Sequence, residues 1–208
     1  MPDPTITLFH MPRTRSLAPL ILLEELGVPY QLEVLDRGRA EHRDPAFLAI
    51  NPLGKVPALR DAAGAIVTEQ VAIMLHLADL FPAAGLAPVV GDPLRGPYLR
   101  WMVFYAATFE PAVVDRAAGR DPGPRAMSPD GDFDAMLETV VGAITPGPYM
   151  LGARFSAADV LWGTALAWTT AVKLLPERPE IAAYAQRINS RPAARRAVAR
   201  DKALLAAD

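Results

Sequence analysis

The chain has 208 residues, 51% of them hydrophobic and 21% charged, and its 21 Lys and Arg against 23 Asp and Glu leave a formal net charge of -2. That balance supplies material for a real core, excludes an intrinsically disordered chain, and leaves no basic field to draw the protein to nucleic acid or acidic lipid. The sequence has no cysteine, which excludes a disulfide framework, a thiolate zinc site, an iron–sulfur cluster and a cysteine nucleophile.

The opening Met1-Pro2-Asp3-Pro4 lacks the basic and apolar regions of a secretory signal. The longest apolar stretch, 160–172, is shorter than the ~20 residues of a membrane span, so a cytoplasmic protein with no membrane partner is expected. Residues 5–9 (TITLF) alternate and are β-branched, which predicts a strand. A helix follows over 17–26, stopped by Gly27, and a second alternating strand over 30–35. Residues 56–59 and 65–67 bracket Asp61-Ala62-Ala63-Gly64 and read as a β-hairpin. Residues 69–80 read as a helix with Val71, Met74, Leu75 and Ala78 on one face. The order is β-α-β-(α)-β-β-α, with parallel strands across the first crossover and an antiparallel hairpin.

The 21 prolines are about twice the usual ~5% and gather at boundaries. Pro82, Pro88, Pro93 and Pro97, with Gly85, Gly91 and Gly96, mark a linker over 82–97. Pro122, Pro124 and Pro129 mark a loop over about 115–131. Everything after the linker reads as helix: 98–114, 133–144, 157–173, 179–189 and 192–205. Ser156-Ala157-Ala158-Asp159 has the form of a capping box, and the helix it opens is apolar nearly all round, as at the centre of a bundle. The expected organisation is an α/β domain over 1–81 and an all-helical domain over 98–208.

Three segments of the first domain have chemical potential, each with a plain structural alternative. Val56-Pro57 is either an ordinary trans strand start or a cis bond that turns the chain and exposes the Val56 backbone to a ligand. At Thr68-Glu69-Gln70 a helix starts directly after a strand, so its free N–H groups suit a carboxylate. Glu69 there either takes a ligand ammonium or merely complements the dipole. The turn from Met11 to Ser16 sits at the carboxyl end of the first strand, where open α/β sheets bind ligands. It offers the hydroxyls of Thr14 and Ser16 and the charges of Arg13 and Arg15, or else simply caps the helix. In the helical part, Tyr98, Trp101, Met102, Tyr105 and Phe109 form one stripe with Phe104 and Thr108 beside it, either a substrate wall or bundle core and dimer surface. Arg187, Arg191, Arg195, Arg196, Arg200 and Lys202 read as a solvated face. His10, His42 and His76 are too scattered for a metal site.

Taken together, Leu-Leu-Glu-Glu-Leu-Gly at 22–27, Asn-Pro-Leu-Gly-Lys-Val-Pro-Ala-Leu at 51–59, Glu-Gln-Val-Ala-Ile at 69–73 and Phe-Ser-Ala-Ala-Asp at 155–159 resemble the glutathione transferase superfamily, nearest its bacterial beta-like and theta-like members. The resemblance implies a thioredoxin-like first domain that holds glutathione as co-substrate, with no metal. Pro57 would be a cis proline and the Val56 backbone would pair with the cysteinyl part of the tripeptide. Glu69 and Gln70 would take the γ-glutamyl end, Gln70 standing where serine is more usual, and Lys55 and His42 would reach the glycyl end. Beta-class relatives have a cysteine where Arg15 stands, so the resemblance moves thiol activation to Thr14, with Ser16 second, His10 third, and Arg15 or Arg13 sharing the charge. Met11, Trp101, Tyr105 and Phe109 would face the second substrate. The implied function is transfer of glutathione to small hydrophobic electrophiles by a homodimer. The alternatives are a glutathione-dependent isomerase or peroxidase, or a non-catalytic module of the same fold that binds glutathione, another ligand or a protein.

Overall fold

The computed structural model describes residues 5–121, 123–124 and 132–205. The chain forms two compact units, one built from the residues up to Ala84 together with those from Arg191 onward, the other from Gly85–Ser190. The first division falls inside the expected linker; the second, before the last helix, has no counterpart in the sequence reading.

The first unit is organised on a four-stranded sheet in the order β2-β1-β3-β4. Strand β1 (Ile6–His10) pairs parallel with β2 (Tyr30–Val34) and antiparallel with β3 (Ala58–Arg60), which pairs antiparallel with β4 (Ile66–Thr68). β1 starts one residue later than the alternation suggests and extends to His10, because His10 still pairs with Val34. β3 begins only after Pro57, which has no N–H to give a ladder. Helices α1 (Leu17–Leu26), α2 (Pro45–Leu48) and α3 (Gln70–Leu80) complete the thioredoxin-like part. Residues Ala18 to Leu23 of α1 are all buried, and Gly27, at φ 67°, closes the helix by donating its N–H to the Leu23 carbonyl.

The last helix of the chain, α9 (Pro192–Leu205), belongs to this unit and packs on α1. Its buried Ala193, Ala194 and Ala197 have side chains short enough for close approach. Three of the basic residues expected to form a solvated face also bridge α9 and the first half of the chain along its surface. Arg191 holds Glu25 through two bonds of 2.6 and 2.8 Å, Arg196 reaches Glu24 at 2.7 Å, and Arg200 donates to the Tyr30 hydroxyl at 3.0 Å. All of the set except the half-buried Arg191 are exposed, as expected.

In the second unit, the helix expected over 98–114 is α4 (Arg95–Phe104), one π-helical stretch (Tyr105–Phe109) and α5 (Glu110–Ala118). Pro111 supplies the reason: it has no N–H for the carbonyl four residues back, and its ring would collide with that carbonyl in a regular α-turn. Helix α5 also takes the start of the loop expected over 115–131, of which 122 and 125–131 lie outside the described residues. Helix α6 (Phe133–Ile144) is capped by Asp132, whose carboxylate accepts from the N–H groups of Asp134 and Ala135. Helix α7 (Ala157–Ala171) stops two residues short of the expected end, where Lys173 turns to φ 61°, and α8 (Pro179–Asn189) follows as expected.

Helix α7 is the axis of this unit. Trp162 is fully buried, with the rings of Trp101, Tyr105 and Phe109 at 5.9, 5.6 and 5.0 Å, and its indole N–H donates to the Trp101 carbonyl at 3.1 Å. At Gly163 a Cβ would lie 2.5 Å from Ile188, so only glycine lets α7 and α8 approach this closely. The expected capping box is present, and its acid does more than cap. The buried Asp159 carboxylate accepts from the Ser156 N–H at 2.8 Å and hydroxyl at 3.1 Å, the Met150 N–H at 2.7 Å and the Tyr184 hydroxyl at 2.8 Å. Burial pushes its pKa up, while the hydrogen bonds from Met150, Tyr184 and Ser156 pull against that. Asp159→Ala strands these donors in the core and is expected to cost about 3 kcal/mol or more in urea unfolding, whereas Tyr184→Phe, which removes a single bond, should cost about 1 kcal/mol.

Candidate functional site

The segment Met11 to Ser16 leaves the carboxyl end of β1 and enters α1 through a compact hydroxyl cluster. The Thr14 and Ser16 hydroxyl oxygens lie 2.7 Å apart. Thr14 also donates to the Met11 carbonyl at 2.7 Å, and Ser16 lies 3.1 Å from the same oxygen. Backbone N–H groups close the cluster, that of Ser16 donating to Thr14 Oγ1 and that of Met11 to Ser16 Oγ, both at 3.2 Å. Ser16 is completely buried, Thr14 is half-buried, and the flanking Arg13 and Arg15 are exposed.

Behind the hydroxyls sits a pair that the sequence reading did not assemble. His10 is completely buried; its Nδ1 lies 2.8 Å from Ser16 Oγ and its Nε2 3.1 Å from Asp201 Oδ1 of α9. Asp201 also accepts from the Arg13 backbone N–H, with its two oxygens at 3.3 and 3.4 Å. Arg13 stands at φ 56°, a left-handed conformation that costs an ordinary residue roughly 1–2 kcal/mol, and the charge-assisted bond to Asp201 holds it there. A signal for Asp201 does exist in the sequence. Ala194, Ala197 and Asp201 recur at i, i+3 and i+7, which places a lone carboxylate on the buried, otherwise small face of α9.

The second part of the site lies between β3 and the start of α3. The Val56–Pro57 bond is cis, which resolves the two alternatives at that dipeptide. The loop before it is fixed by Asn51, whose side chain donates to the Lys55 carbonyl at 2.7 Å and accepts from the Leu53 N–H at 3.2 Å. Gly54 stands at φ 61°, and a Cβ there would meet the His42 carbonyl oxygen at 2.7 Å. The loop and the turn that carries His42 are thus pressed together. Lys55 is exposed; His42 is half-buried and its Nδ1 has no hydrogen-bond partner.

Glu69 takes φ 67° and ψ 120° and precedes the first residue of α3, so that helix starts at Gln70 rather than at Glu69 as expected. Its side chain is exposed. Gln70 links the two parts: its amide nitrogen donates to the Arg15 carbonyl at 3.0 Å, while its Oε1 is buried without a partner. The residue expected to donate to a ligand carboxylate therefore also presents an acceptor.

Met11, Trp101, Tyr105 and Phe109, expected to face a second substrate, are core residues at 6%, 6%, 5% and 1% exposure. Met11 packs with Phe9, Leu35, Phe47 and Ala58, and the three aromatic rings surround Trp162. Helical spacing alone does not separate a lining face from a buried one, and here Trp162 fills the space in front of the stripe. Phe104 and Thr108 beside it stay half-buried. Among the described residues no group of His, Asp and Glu is arranged to hold a metal ion, and no helix is long and apolar enough to cross a membrane.

The chain is similar in sequence and fold to known proteins. The family profile "Glutathione S-transferase, N-terminal domain" matches residues 4–79. Glutathione S-transferase GstA of Escherichia coli O157:H7 is 35% identical over 89% of this chain and 93% of its own. A glutathione transferase structure from Methylococcus capsulatus superposes with a TM-score of 0.80 at 32% identity, over 96% of this chain and all (100%) of that one. A sphingomonad glutathione S-transferase complexed with glutathione superposes at 0.78 and 32% identity, over 94% of this chain and 98% of that one. The chain belongs to the glutathione S-transferase family.

The seam that carries Asp201 to the turn is sensitive to acid. Burial pushes the Glu24 carboxyl up, but the hydrogen bonds from Tyr30 and Arg196 and the charges of Arg196 and Arg200 outweigh it and hold the group below the usual glutamate range. Burial and the bond to Glu24 together push the Tyr30 phenol up to about 12. Because the folded Glu24 value is lowered, its contribution to stability is present above the unfolded value of ~4.3 and is lost as pH falls through the folded one. The urea midpoint of the native protein should fall between neutral pH and pH ~3, and Glu24→Gln should flatten that fall while lowering the midpoint at neutral pH.

Proposed function

We propose that this protein is a glutathione transferase that ionises the thiol of glutathione at Thr14 and adds it to small hydrophobic electrophiles. The observation that carries the reading is the hydroxyl cluster of Thr14 and Ser16 at the carboxyl end of β1. Of its two hydroxyls, the half-buried Thr14 is the one open to a ligand; Ser16 stands behind it as support. In this reading the Val56 backbone before the cis proline pairs with the cysteinyl part of the tripeptide. Glu69 and Gln70 take the γ-glutamyl end, Glu69 its ammonium, and the first turn of α3 faces its carboxylate. Lys55 and His42 take the glycyl carboxylate.

The chemical task is modest in size. A free thiol of pKa ~8.5 is only a few per cent thiolate at neutral pH, and lowering that value by ~2 units needs ~2.7 kcal/mol of preference for the anion. A hydroxyl donor to sulfur, the N-terminus of α1 and the cation of Arg15 or Arg13 together are of that order. With no cysteine in the chain, the sulfur chemistry is that of glutathione alone, which favours conjugation or glutathione-dependent isomerisation over exchange through an enzyme thiol.

The test is turnover of a chloronitrobenzene with glutathione at neutral pH. Thr14→Ala is expected to lower kcat/KM about 10-fold to 100-fold, with Thr14→Ser retaining most of it, and glutathione binding by calorimetry changing little. Unchanged turnover in Thr14→Ala would remove the hydroxyl from the mechanism, and a loss confined to Arg15→Ala would assign thiol activation to the guanidinium.

A further inference from the structure

We propose that the proton of the bound thiol is not lost to solvent but passes inward through Thr14 and Ser16 to His10, where the Asp201 carboxylate of α9 holds the resulting positive charge. The proposal rests on the reading that glutathione binds with its sulfur at Thr14. It uses a row of contacts that thiol binding alone does not require: Thr14 Oγ1 to Ser16 Oγ at 2.7 Å, Ser16 Oγ to His10 Nδ1 at 2.8 Å, and His10 Nε2 to Asp201 Oδ1 at 3.1 Å.

The row has a direction set by its inner end. Nε2 faces the Asp201 carboxylate at 3.1 Å, within ion-pair distance but off the line of a hydrogen bond, and that negative charge favours a proton on Nε2; Nδ1 of the neutral ring is then the acceptor, and Ser16 donates to it. Thr14 Oγ1 has one proton, placed between the Met11 carbonyl and Ser16 Oγ, each at 2.7 Å, and accepts from the Ser16 N–H; in the relay that proton turns from Met11 to Ser16, and the remaining lone pair of Thr14 accepts the S–H. When the thiol ionises, its proton passes to Thr14 Oγ1 as the original Thr14 proton moves to Ser16 Oγ and the Ser16 proton moves to His10 Nδ1. One S–H bond is broken, one N–H bond is formed, and each hydroxyl ends with one proton. No electron leaves or enters, and the net charge of the site is unchanged. Every hydrogen bond in the row then points the other way: His10 donates to Ser16, Ser16 to Thr14, and Thr14 to the thiolate. The same three groups that take the proton away thus become a polarised donor chain toward the anion. The positive charge rests between the thiolate side and Asp201, whose other contact is the Arg13 backbone N–H.

His10 and Asp201 do not touch the reacting sulfur, so they are positioning and proton-holding residues rather than catalytic ones. Their burial gives the row its purpose. With His10 completely buried and Asp201 only 5% exposed, water has little access to the inner end, and the proton returns by the same route when product or leaving group needs it.

The decisive experiment needs no variant. Glutathione is mixed with the full-length protein in weakly buffered solution at neutral pH containing an indicator dye, and thiolate ultraviolet absorbance and proton release are recorded together. The expected result is thiolate formation without matching release of protons. Thiolate formation with one proton released per site overturns the relay and leaves the glutathione reading intact. Calorimetric binding with the thiol still protonated, or no binding at all, overturns the proposed thiol activation and the relay with it. Two variants then locate the acceptor. Asp201→Asn and His10→Gln should each lower the thiolate yield about 10-fold or more at saturating glutathione, while circular dichroism and the Kd for glutathione stay near the parent values. A folded Asp201→Asn protein with an undiminished yield would overturn the role given to Asp201.

Discussion

The turn after β1 depends on a carboxylate that arrives from the far end of the chain. Asp201 holds the backbone of Arg13 in a left-handed conformation and stands against the buried ring of His10. Through His10 it sets the place of Ser16, and through Ser16 that of Thr14. None of these groups is fixed by local propensity. A Thr-Arg-Ser turn could cap a helix in several ways, and the choice among them is made by what α9 brings to its underside. The seam that seats α9, with Arg191 on Glu25 and Arg196 on Glu24, is therefore part of the construction of the site even though it lies away from it.

The helical unit solves a comparable problem with a different acid. Asp159 collects the loop at Met150, the cap at Ser156 and the hydroxyl of Tyr184 on α8 onto the start of one buried helix. Trp162, one turn further on, gathers the aromatic rings of α4 and the π-helical stretch. The widening at Tyr105–Phe109 changes which residues of that stretch face Trp162. In both units a buried carboxylate ties several elements together: Asp159 is satisfied by several donors, while Asp201 has the Arg13 N–H and lies within ion-pair distance of the His10 ring.

Most of the fold was legible in the sequence because its signals are local. Gly27 ends α1, Asp61 to Gly64 turns the hairpin, and Ser156 with Asp159 opens α7; each is a short-range rule acting on neighbouring residues. The same is true of the motif residues at Val56-Pro57 and Glu69-Gln70. What the sequence did not show was produced by contacts between residues far apart in the chain. Asp201 and His10 are 191 positions apart, and the arginines of α9 read only as a solvated face until Glu24 and Glu25 of α1 were placed opposite them. Likewise Gln70 reads as a simple donor until its amide is seen to be engaged with the Arg15 carbonyl, leaving Oε1 as the group without a partner.

Arg15 then has a place that its side chain alone does not suggest. Its backbone carbonyl is held by Gln70, which ties the turn to the start of α3 beside the half-buried Thr14. The strain at Arg13, roughly 1–2 kcal/mol for a left-handed side chain, is offset by a charge-assisted bond of about the same size to Asp201. Stability of the C-terminal helix and geometry of the thiol-facing turn are thus one interaction seen from two sides. A change at Asp201 acts on the turn directly, since the left-handed Arg13 and the inner face of His10 both rest on it, whereas a change that loosens α9 as a whole also withdraws the packing of its buried alanines from α1.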